Sequence, residues 1–569
     1  MNGAEALIKC LEKQGVEYIF GYSGGAAIPI FDAIITTKTK IEMVLVRHEQ
    51  GATHIADGYA RATGKPGVVL VTSGPGATNT ITGLLTSQMD SVPLIVLCGQ
   101  TISPMLGKDA FQEADVFGIS QPCVKHSYLV KDTQAIPRYI REAFHIASTG
   151  RPGPVLLDLP KDITSAEFSS SLDQEMDLPG YSFPTEGKIE EIHDIADALR
   201  ASKKPVLMVG HGAVLSSAEE EVIKLAETLN CPVVSTLLGK GCFPETHELS
   251  LGMLGMHGTG YANKAIIECD LLMAIGSRWD DRIVGKLDEF CTDAVKIHID
   301  IDEAEYGKML KPDHFCHGDA KLVLTELNKH ISKLDIQSWV DRCNSFKADF
   351  PLKWEKGGSE LTMQEVLVKL DELTDSKAII STDVGQHQMW AAQFCKTTHG
   401  KDWLSSGGAG TMGYGFPGAI GAQFGCPDRI CVSISGDGGF QMTEFELSTA
   451  AIHKLPVKIL ILNNSYLGMV RQWQELFFDE RLSGVDLVGN PDFVKLGEAY
   501  GIKGFNMRHS DDVEKVWKEA LAYNDGPCII EATVAKTDNV YPMIPAGANY
   551  SKMLLEAPTE KLEKPTGST

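Results

Sequence analysis

Short apolar runs and amphipathic stretches take turns along this sequence. The runs at 18–20, 43–46, 67–72, 94–98 and 154–157 are rich in Val, Ile and Leu and are bounded by Gly, Pro or Ser. Such runs predict strands buried on both faces. Between them apolar positions fall three and four residues apart, as at 5–14, which predicts helices lying on a sheet. Strand and helix in repetition predict an α/β fold with mostly parallel sheets. A polar stretch at 165–185, with Pro179 and Pro184 near its end, predicts a linker. The rhythm then restarts twice. KKPVLMVG, CPVVST, DLLMAIGS and VKIHIDI form a second block, and KAIISTD, RICVSISGDGG, PVKILILNN and GPCIIEATVA a third. We therefore expect three domains, over 1–165, 186–345 and 360–550, followed by a flexible tail at 551–569 rich in Lys, Glu, Pro and Thr.

Length agrees, since 569 residues exceed what one hydrophobic core supports. A net charge of −23 argues against nucleic-acid backbones and anionic membranes as partners. No apolar run approaches the roughly 20 residues needed to span a bilayer. The N-terminal MNGAEALIKCLEKQG reads as an amphipathic helix, not a signal or transit segment. The 13 cysteines are scattered without a CxxC pair, so reduced thiols in a cytoplasmic protein are expected.

The strongest chemical signal lies in the third block. In SISGDGGFQMTEFELSTAAIHKLPVKILILNNSYLGMV, GDG follows one apolar strand and NN the next, with Asp437 and Asn464 27 positions apart. Successive strands of a parallel sheet end at the same edge, where ligands bind. A carboxylate and an amide oxygen brought together there suit Mg²⁺, which commonly also takes phosphate oxygens. Gly436 and Gly438 would let the backbone approach a pyrophosphate. Two tight turns capping ordinary strands would give the same spacing.

The GDG-to-NN segment resembles the cofactor motif of thiamin-diphosphate-dependent decarboxylases, oxidases and carboligases. The resemblance assigns the metal to Asp437, Asn464 and the backbone carbonyl of Tyr466. VLVRHEQGATHIADGYARATG matches the segment whose Glu protonates the cofactor's aminopyrimidine, which nominates Glu49; an ordinary first-turn Glu favoured by the helix dipole is the alternative. In SSGGAGTMGYGFPG, Gly410 matches the residue whose carbonyl meets the aminopyrimidine, and Met412 the apolar wedge that bends the cofactor. A methionine filling a core reads the same way. Glu49 and Asp437 fall in different domains, and in this family the site forms between two subunits, implying a homodimer or a dimer of dimers.

Four further places resemble the catalytic large subunits of acetolactate synthases. In DAFQEAD, Phe111 and Gln112 match a pair expected near the reacting intermediate. RPGPVLLDLPKDI supplies Lys161, expected to line the substrate channel, and Arg151, expected at a flavin. GMVRQWQELFF places Met469, Val470, Trp473 and Phe477 at the pocket, with Trp473 favouring 2-ketobutyrate; a Trp beside apolar residues also packs without any such role. In the middle block VGHGA, LGMHG, GSRWDDR and IHIDID follow the order of an FAD domain, nominating Gly210, Gly212, Met256, His257, Gly276, Arg278, Asp280, Asp281 and Asp300. The usual Phe is Trp279 here, no Rossmann GxGxxG opens the block, and structural turns would explain the same residues. The resemblance thus implies a thiamin-diphosphate-binding fold with a central FAD-binding domain, with thiamin diphosphate, Mg²⁺ and FAD as cofactors. It implies decarboxylation of pyruvate and transfer of the two-carbon unit to pyruvate or 2-ketobutyrate, on the way to branched-chain amino acids, and a small regulatory subunit as a further partner. Arg278 or Lys161 could attract a substrate carboxylate. A pyruvate oxidase or simple 2-keto-acid decarboxylase is the alternative on the same cofactor, and a noncatalytic assembly protein the alternative of another class.

Overall fold

The computed structural model of the chain describes residues 1–354, 356, 358, 360–559 and 562. Three six-stranded sheets carry it. The first holds β1 (Tyr18–Gly21), β2 (Glu42–Leu45), β3 (Gly67–Val71), β4 (Leu94–Gln100), β5 (His126–Leu129) and β6 (Val155–Pro160), in the order β2-β1-β3-β4-β6-β5. The second holds β7 (Pro205–Val209), β8 (Val233–Ser235), β9 (Ser250–Met253), β10 (Leu271–Ile275), β11 (Val295–Asp300) and β12 (His314–His317), in the order β12-β11-β10-β7-β8-β9. The third holds β13 (Ile379–Thr382), β14 (Trp403–Ser405), β15 (Cys431–Gly436), β16 (Lys458–Asn463), β17 (Lys503–Met507) and β18 (Cys528–Thr533), in the order β14-β13-β15-β16-β18-β17. Every ladder between these strands is parallel. The first and third sheets thus repeat one topology, and the second has the doubly wound order, which by itself specifies no ligand.

Local chemistry explains the elements. The first helix, Gly3–Lys13, starts at an Asn2 cap whose Oδ1 accepts the Glu5 N–H at 2.8 Å while Glu5 Oε2 accepts the Asn2 N–H at 2.9 Å. Its buried face is Ala4, Leu7, Ile8 and Leu11. Central strands β3, β4 and β6 are buried along their whole length, as continuous apolar runs require. Strand β5, HSYL, mixes polar and apolar residues and sits at the edge of its sheet, so no apolar run announces it.

The first and third domains share a core. Phe20, Ile55 and Val96 on one side are continuous with Phe416, Ile420, Phe440 and Ile461 on the other. Helix Glu49–Thr63 crosses helix Gly415–Gly425 at backbone contact, for an added Cβ at Gly58 would collide with the Gly418 carbonyl. Within 551–559, Leu554 exchanges backbone hydrogen bonds of 2.7 and 2.9 Å with Met543, whereas the expected tail beyond 559 lies, except for 562, outside the described residues. Among the described residues no helix is long and apolar enough to cross a membrane.

Candidate active site

The ends of β15 and β16 bring the GDG and NN segments together. Gly436 pairs with Leu462 across the ladder, so Asp437 and Asn464 leave the sheet side by side. Both are buried. Asn490 Nδ2 ties the two loops, donating to Asp437 Oδ2 at 2.6 Å and to Asn463 Oδ1 at 3.3 Å. Asn464 Oδ1 accepts the Tyr466 N–H at 3.1 Å, which turns the chain into helix Gly468–Phe477. Burial pushes the Asp437 carboxyl up to about 6, against the Asn490 donation and backbone N–H groups that favour the anion. A divalent cation would relieve that strain on the charged form. Among the described residues no group of three or more His, Cys, Asp or Glu stands ready for a metal. A mixed set of one carboxylate, one amide and a carbonyl is instead what Mg²⁺ takes when phosphates and waters complete its shell.

The loops around this pair fit a diphosphate. An added Cβ at Gly438 would meet Leu467 Cδ2 at 2.8 Å and Met412 Cε at 3.8 Å, which places Met412 over the GDG turn. An added Cβ at Gly436 would meet the His387 ring at 2.9 Å. His387 is buried with Nε2 unpartnered, and burial holds its imidazole neutral, down at about 4. Gln386 Oε1 is also unpartnered, although its Nε2 donates to Gln472 Oε1 at 2.9 Å and to the Asp538 carbonyl at 2.8 Å. Orphaned buried polar atoms beside an ion-pair-free carboxylate mark a place built for a polar ligand. Asn490, Gln386 and His387 were not singled out from sequence. The available signal was STDVGQHQ, a polar cluster directly after an apolar strand of the same sheet.

A cavity of about 770 Å³ opens where the three domains meet. It brings together Gly410, Met412, Met469, Val470 and Trp473 from the third domain, Arg151 from the first, and Gly212, Met256, His257, Gly276, Arg278, Asp280 and Asp300 from the second. Gly410 takes a positive φ of 62°, a conformation suited to glycine. Trp473 and Phe477 meet one helical turn apart with centroids 5.3 Å distant and ring planes tilted by 50°, Phe477 buried and Val470 half exposed. Arg278 makes no hydrogen bond or ion pair among the described residues, so its guanidinium is available to an anion in the cavity.

Other nominated residues lie elsewhere. Glu49 opens helix Glu49–Thr63 and is buried, with Asn79 Nδ2 donating to its Oε2 at 2.9 Å. Within one chain no hydrogen bond or ion pair joins Glu49 to the Asp437 loop among the described residues. Phe111 is 89% exposed and Gln112, at φ 57°, backs onto Gly74. Lys161 begins the short helix after β6, half-buried and away from the cavity lining.

Comparisons with known proteins identify the family. Residues 1–119 match the family model described as thiamine pyrophosphate enzyme, N-terminal TPP binding domain. Residues 192–327 match its central domain, and 383–532 its C-terminal TPP binding domain. The acetolactate synthase large subunit of Cyanidium caldarium is 47% identical over 567 residues, covering 97% of this chain and 96% of its own. That of Porphyra purpurea is 45% identical, covering 97% and 95%. That of Haemophilus influenzae is 44% identical, covering 99% of both.

These matches correct one expectation. The middle domain is the central domain of thiamin-diphosphate enzymes and not an FAD-binding domain, so neither FAD nor a flavoprotein is carried forward. The residues behind that expectation have other partners. An added Cβ at Gly210 would strike the Gly276 carbonyl, and one at Gly212 would lie 2.8 Å from Gly276 Cα, so the three glycines serve packing between the ends of β7 and β10. Arg151 Nη1 pairs with Asp302 at 3.0 Å and Glu305 at 2.7 Å. Asp280 caps the helix Asp281–Val284 through the Arg282 N–H at 3.0 Å, Asp281 points outward to Arg282 at 3.6 Å, and Asp300 accepts the Asp302 N–H at 2.9 Å. The Met256 N–H bonds the Arg282 carbonyl at 2.8 Å, and the His257 carbonyl accepts Gln393 Nε2 at 2.9 Å. With a thiamin-diphosphate domain at each end and full-length likeness to these subunits, the chain is an enzyme of the acetolactate synthase large-subunit family.

Proposed function

We propose that the chain works as a pair of copies, each site combining the Asp437 loop of one copy with Glu49 of the other, and that the joined substrates are pyruvate and a second 2-keto acid. Pyruvate loses carbon dioxide, and the remaining two-carbon unit bonds to the carbonyl carbon of a second pyruvate or of 2-ketobutyrate, giving 2-acetolactate or 2-aceto-2-hydroxybutyrate. Thiamin diphosphate, when bound, supplies the electron sink that lets the first carbon–carbon bond break. Asp437, Asn464 and the Tyr466 carbonyl would hold the magnesium ion that neutralises its diphosphate, and His387 and Gln386 offer the free polar atoms beside it.

The observation that carries this reading is the register of β15 and β16, which sets Asp437 beside Asn464 with Asn490 bridging their loops. Glu49, oriented by Asn79, would exchange a proton with the ring nitrogen of the cofactor when it is bound. Because no hydrogen bond or ion pair joins Glu49 to the Asp437 loop of its own chain among the described residues, a second copy is the natural source of the other half. Arg278 attracts the carboxylate of the incoming keto acid, while Trp473, with the buried Phe477 packed against it outside the cavity lining, shapes the wall its alkyl group meets.

The test is product analysis of the purified protein with pyruvate, thiamin diphosphate and Mg²⁺, with and without 2-ketobutyrate. The reading expects acetolactate, plus the mixed product when 2-ketobutyrate is present. Free acetaldehyde or an oxidised acetyl compound as the main product would overturn it.

A further inference from the structure

The segment carrying Gly410 and Met412 is gripped at both ends by buried carboxylates from different domains. On one side Asp90, the last residue of helix Ile81–Asp90 in the first domain, accepts the Gly408 N–H on Oδ1 at 2.7 Å and the Gly407 N–H on Oδ2 at 3.1 Å. On the other, Asp383 at the end of β13 accepts the Gly413 N–H on both oxygens at 3.0 Å and the Gly415 N–H on Oδ2 at 3.1 Å. Its Oδ1 also takes the Val384 N–H at 2.7 Å. Between the grips the Thr411 N–H donates to Ser406 Oγ at 3.0 Å, and the Thr411 hydroxyl meets the Thr86 hydroxyl at 2.7 Å.

Each carboxylate is itself immobile. Asp90 is fixed by Arg61, whose Nη2 reaches Oδ2 at 2.8 Å, while Arg61 Nε pairs with Asp57 Oδ1 at 2.6 Å and Nη1 donates to the Ser405 carbonyl at 3.0 Å. Tyr414 closes the network through its hydroxyl on Asp57 Oδ1 at 2.8 Å. Asp383 is fully buried, and among the described residues no cation pairs with it, so backbone N–H dipoles face its charge. It also abuts Gly439 of the GDGG turn, where an added Cβ would collide with Oδ1. One side chain therefore touches both the Met412 segment and the turn that carries Asp437. Such an arrangement exceeds what loop folding needs, since a buried carboxylate without a counter-ion is costly and an apolar or amide residue would cost less.

We propose that Asp90, Asp383 and Ser406 are positioning residues for cofactor activation. They hold residues 409–412 at a fixed span, so that Gly410 and Met412 meet the cofactor's aminopyrimidine at one geometry, and the clamp from the first domain adjusts the site built by the third. The inference rests on the reading that Gly410 and Met412 contact the cofactor. Both oxygens of Asp90 and of Asp383 accept backbone N–H groups, and an amide would turn its own N–H₂ toward one set of those donors, so Asn at either position breaks part of the clamp without removing volume.

The experiment uses full-length Asp383→Asn, Asp90→Asn and Ser406→Ala enzymes with Met412→Ala as the reference. Two quantities are measured, the affinity for thiamin diphosphate with Mg²⁺ and the rate of proton–deuterium exchange at the thiazolium carbon of the bound cofactor, read by NMR after acid quench. The clamp predicts exchange slowed at least about tenfold in Asp383→Asn and Asp90→Asn and severalfold in Ser406→Ala, with affinity changed far less. A merely structural role would lower the melting temperature and leave the exchange rate of the folded, cofactor-loaded fraction at the wild-type value. If Met412→Ala slows exchange and the clamp variants that fold do not, the inference is wrong. If Met412→Ala itself exchanges at the wild-type rate, the underlying placement of the cofactor is wrong instead. Ser406→Ala leaves every buried charge in place and so decides the matter even where an aspartate variant does not fold.

Discussion

Two glycine turns in this molecule look alike in sequence and differ in what their glycines face. VGHGA follows β7 in the second sheet and SGDGG follows β15 in the third, and each opens a five-residue helix, His211–Leu215 or Asp437–Gln441. In the first turn the glycines press against backbone, with Gly210 and Gly212 seated on Gly276. In the second the neighbours of Gly436 and Gly438 are the His387, Leu467 and Leu487 side chains. Backbone against backbone uses up the space that glycine creates. Side chains around a turn leave its main chain open to a ligand, with a buried carboxylate and two orphaned polar side chains beside it. A glycine pattern therefore tells where the chain comes close to something, and only the partner tells to what.

The contrast can be broken most forcefully at the acid of the second turn. Asp437→Ala should weaken Mg²⁺-dependent binding of thiamin diphosphate by at least about 100-fold, since even supporting residues of metal sites cost 10–100-fold. Titration calorimetry reads this directly, and unchanged binding would remove Asp437 from the metal set. Asp281→Ala in the second domain, on an exposed carboxylate, should leave the same titration unaltered.

The glycines sharpen it further. Gly210→Ala forces a Cβ onto backbone and should cost about 1–3 kcal/mol of stability, seen as a lower melting temperature with cofactor affinity retained. Gly438→Ala meets the ends of Leu467, Leu487 and Met412, at 2.8, 3.1 and 3.8 Å, which can give way. Its melting temperature should hold while cofactor affinity falls. Reversed results would mean the roles of the two turns have been exchanged.

The smallest effect is electrostatic. His211 stands in the first turn with Nδ1 2.7 Å from the Asp90 carbonyl, and burial holds its imidazole neutral, down at about 3, with Arg61 adding to the shift. Its folded value lies below the ordinary 6.5, so the folded form binds fewer protons than the unfolded chain. Stability from this source is present above about 6.5 and is lost as pH falls toward 3. Melting curves between pH 7 and 5 should show a decline that His211→Gln partly flattens. An unchanged slope would place the acid sensitivity elsewhere.

Much of this was legible in the sequence because it was written in periods. The buried strands VVLV and LIVLC declared a parallel sheet, and the restart of the rhythm declared further sheets. Asp437 and Asn464 were legible because strand ends of one sheet share an edge. Strand β5 was not, since an edge strand of mixed polarity carries no apolar run. Asn490, Asp383 and His387 were missed for another reason. Asp383 comes from the end of β13, His387 from the helix Gln386–Phe394 after it and Asn490 from a loop beyond β16, and their spacing to Asp437 encodes nothing until the sheet order is known. The second domain misled because glycines and aspartates in turns serve packing and capping as readily as they serve a ligand.

The measurement that tests the account most directly mixes two inactive variants. Glu49→Gln should lower kcat by about 10²–10⁴ with cofactor binding retained, and Asp437→Ala should weaken metal-dependent binding by at least about 100-fold. Coexpressed and freely assorted, the two chains form mixed dimers in which one site carries both lesions and the other carries neither. If each site takes Glu49 from one copy and the Asp437 loop from the other, activity should return to about a quarter of wild type. Activity no higher than that of the single variants would contradict the shared site and require Glu49 and Asp437 to act within one chain.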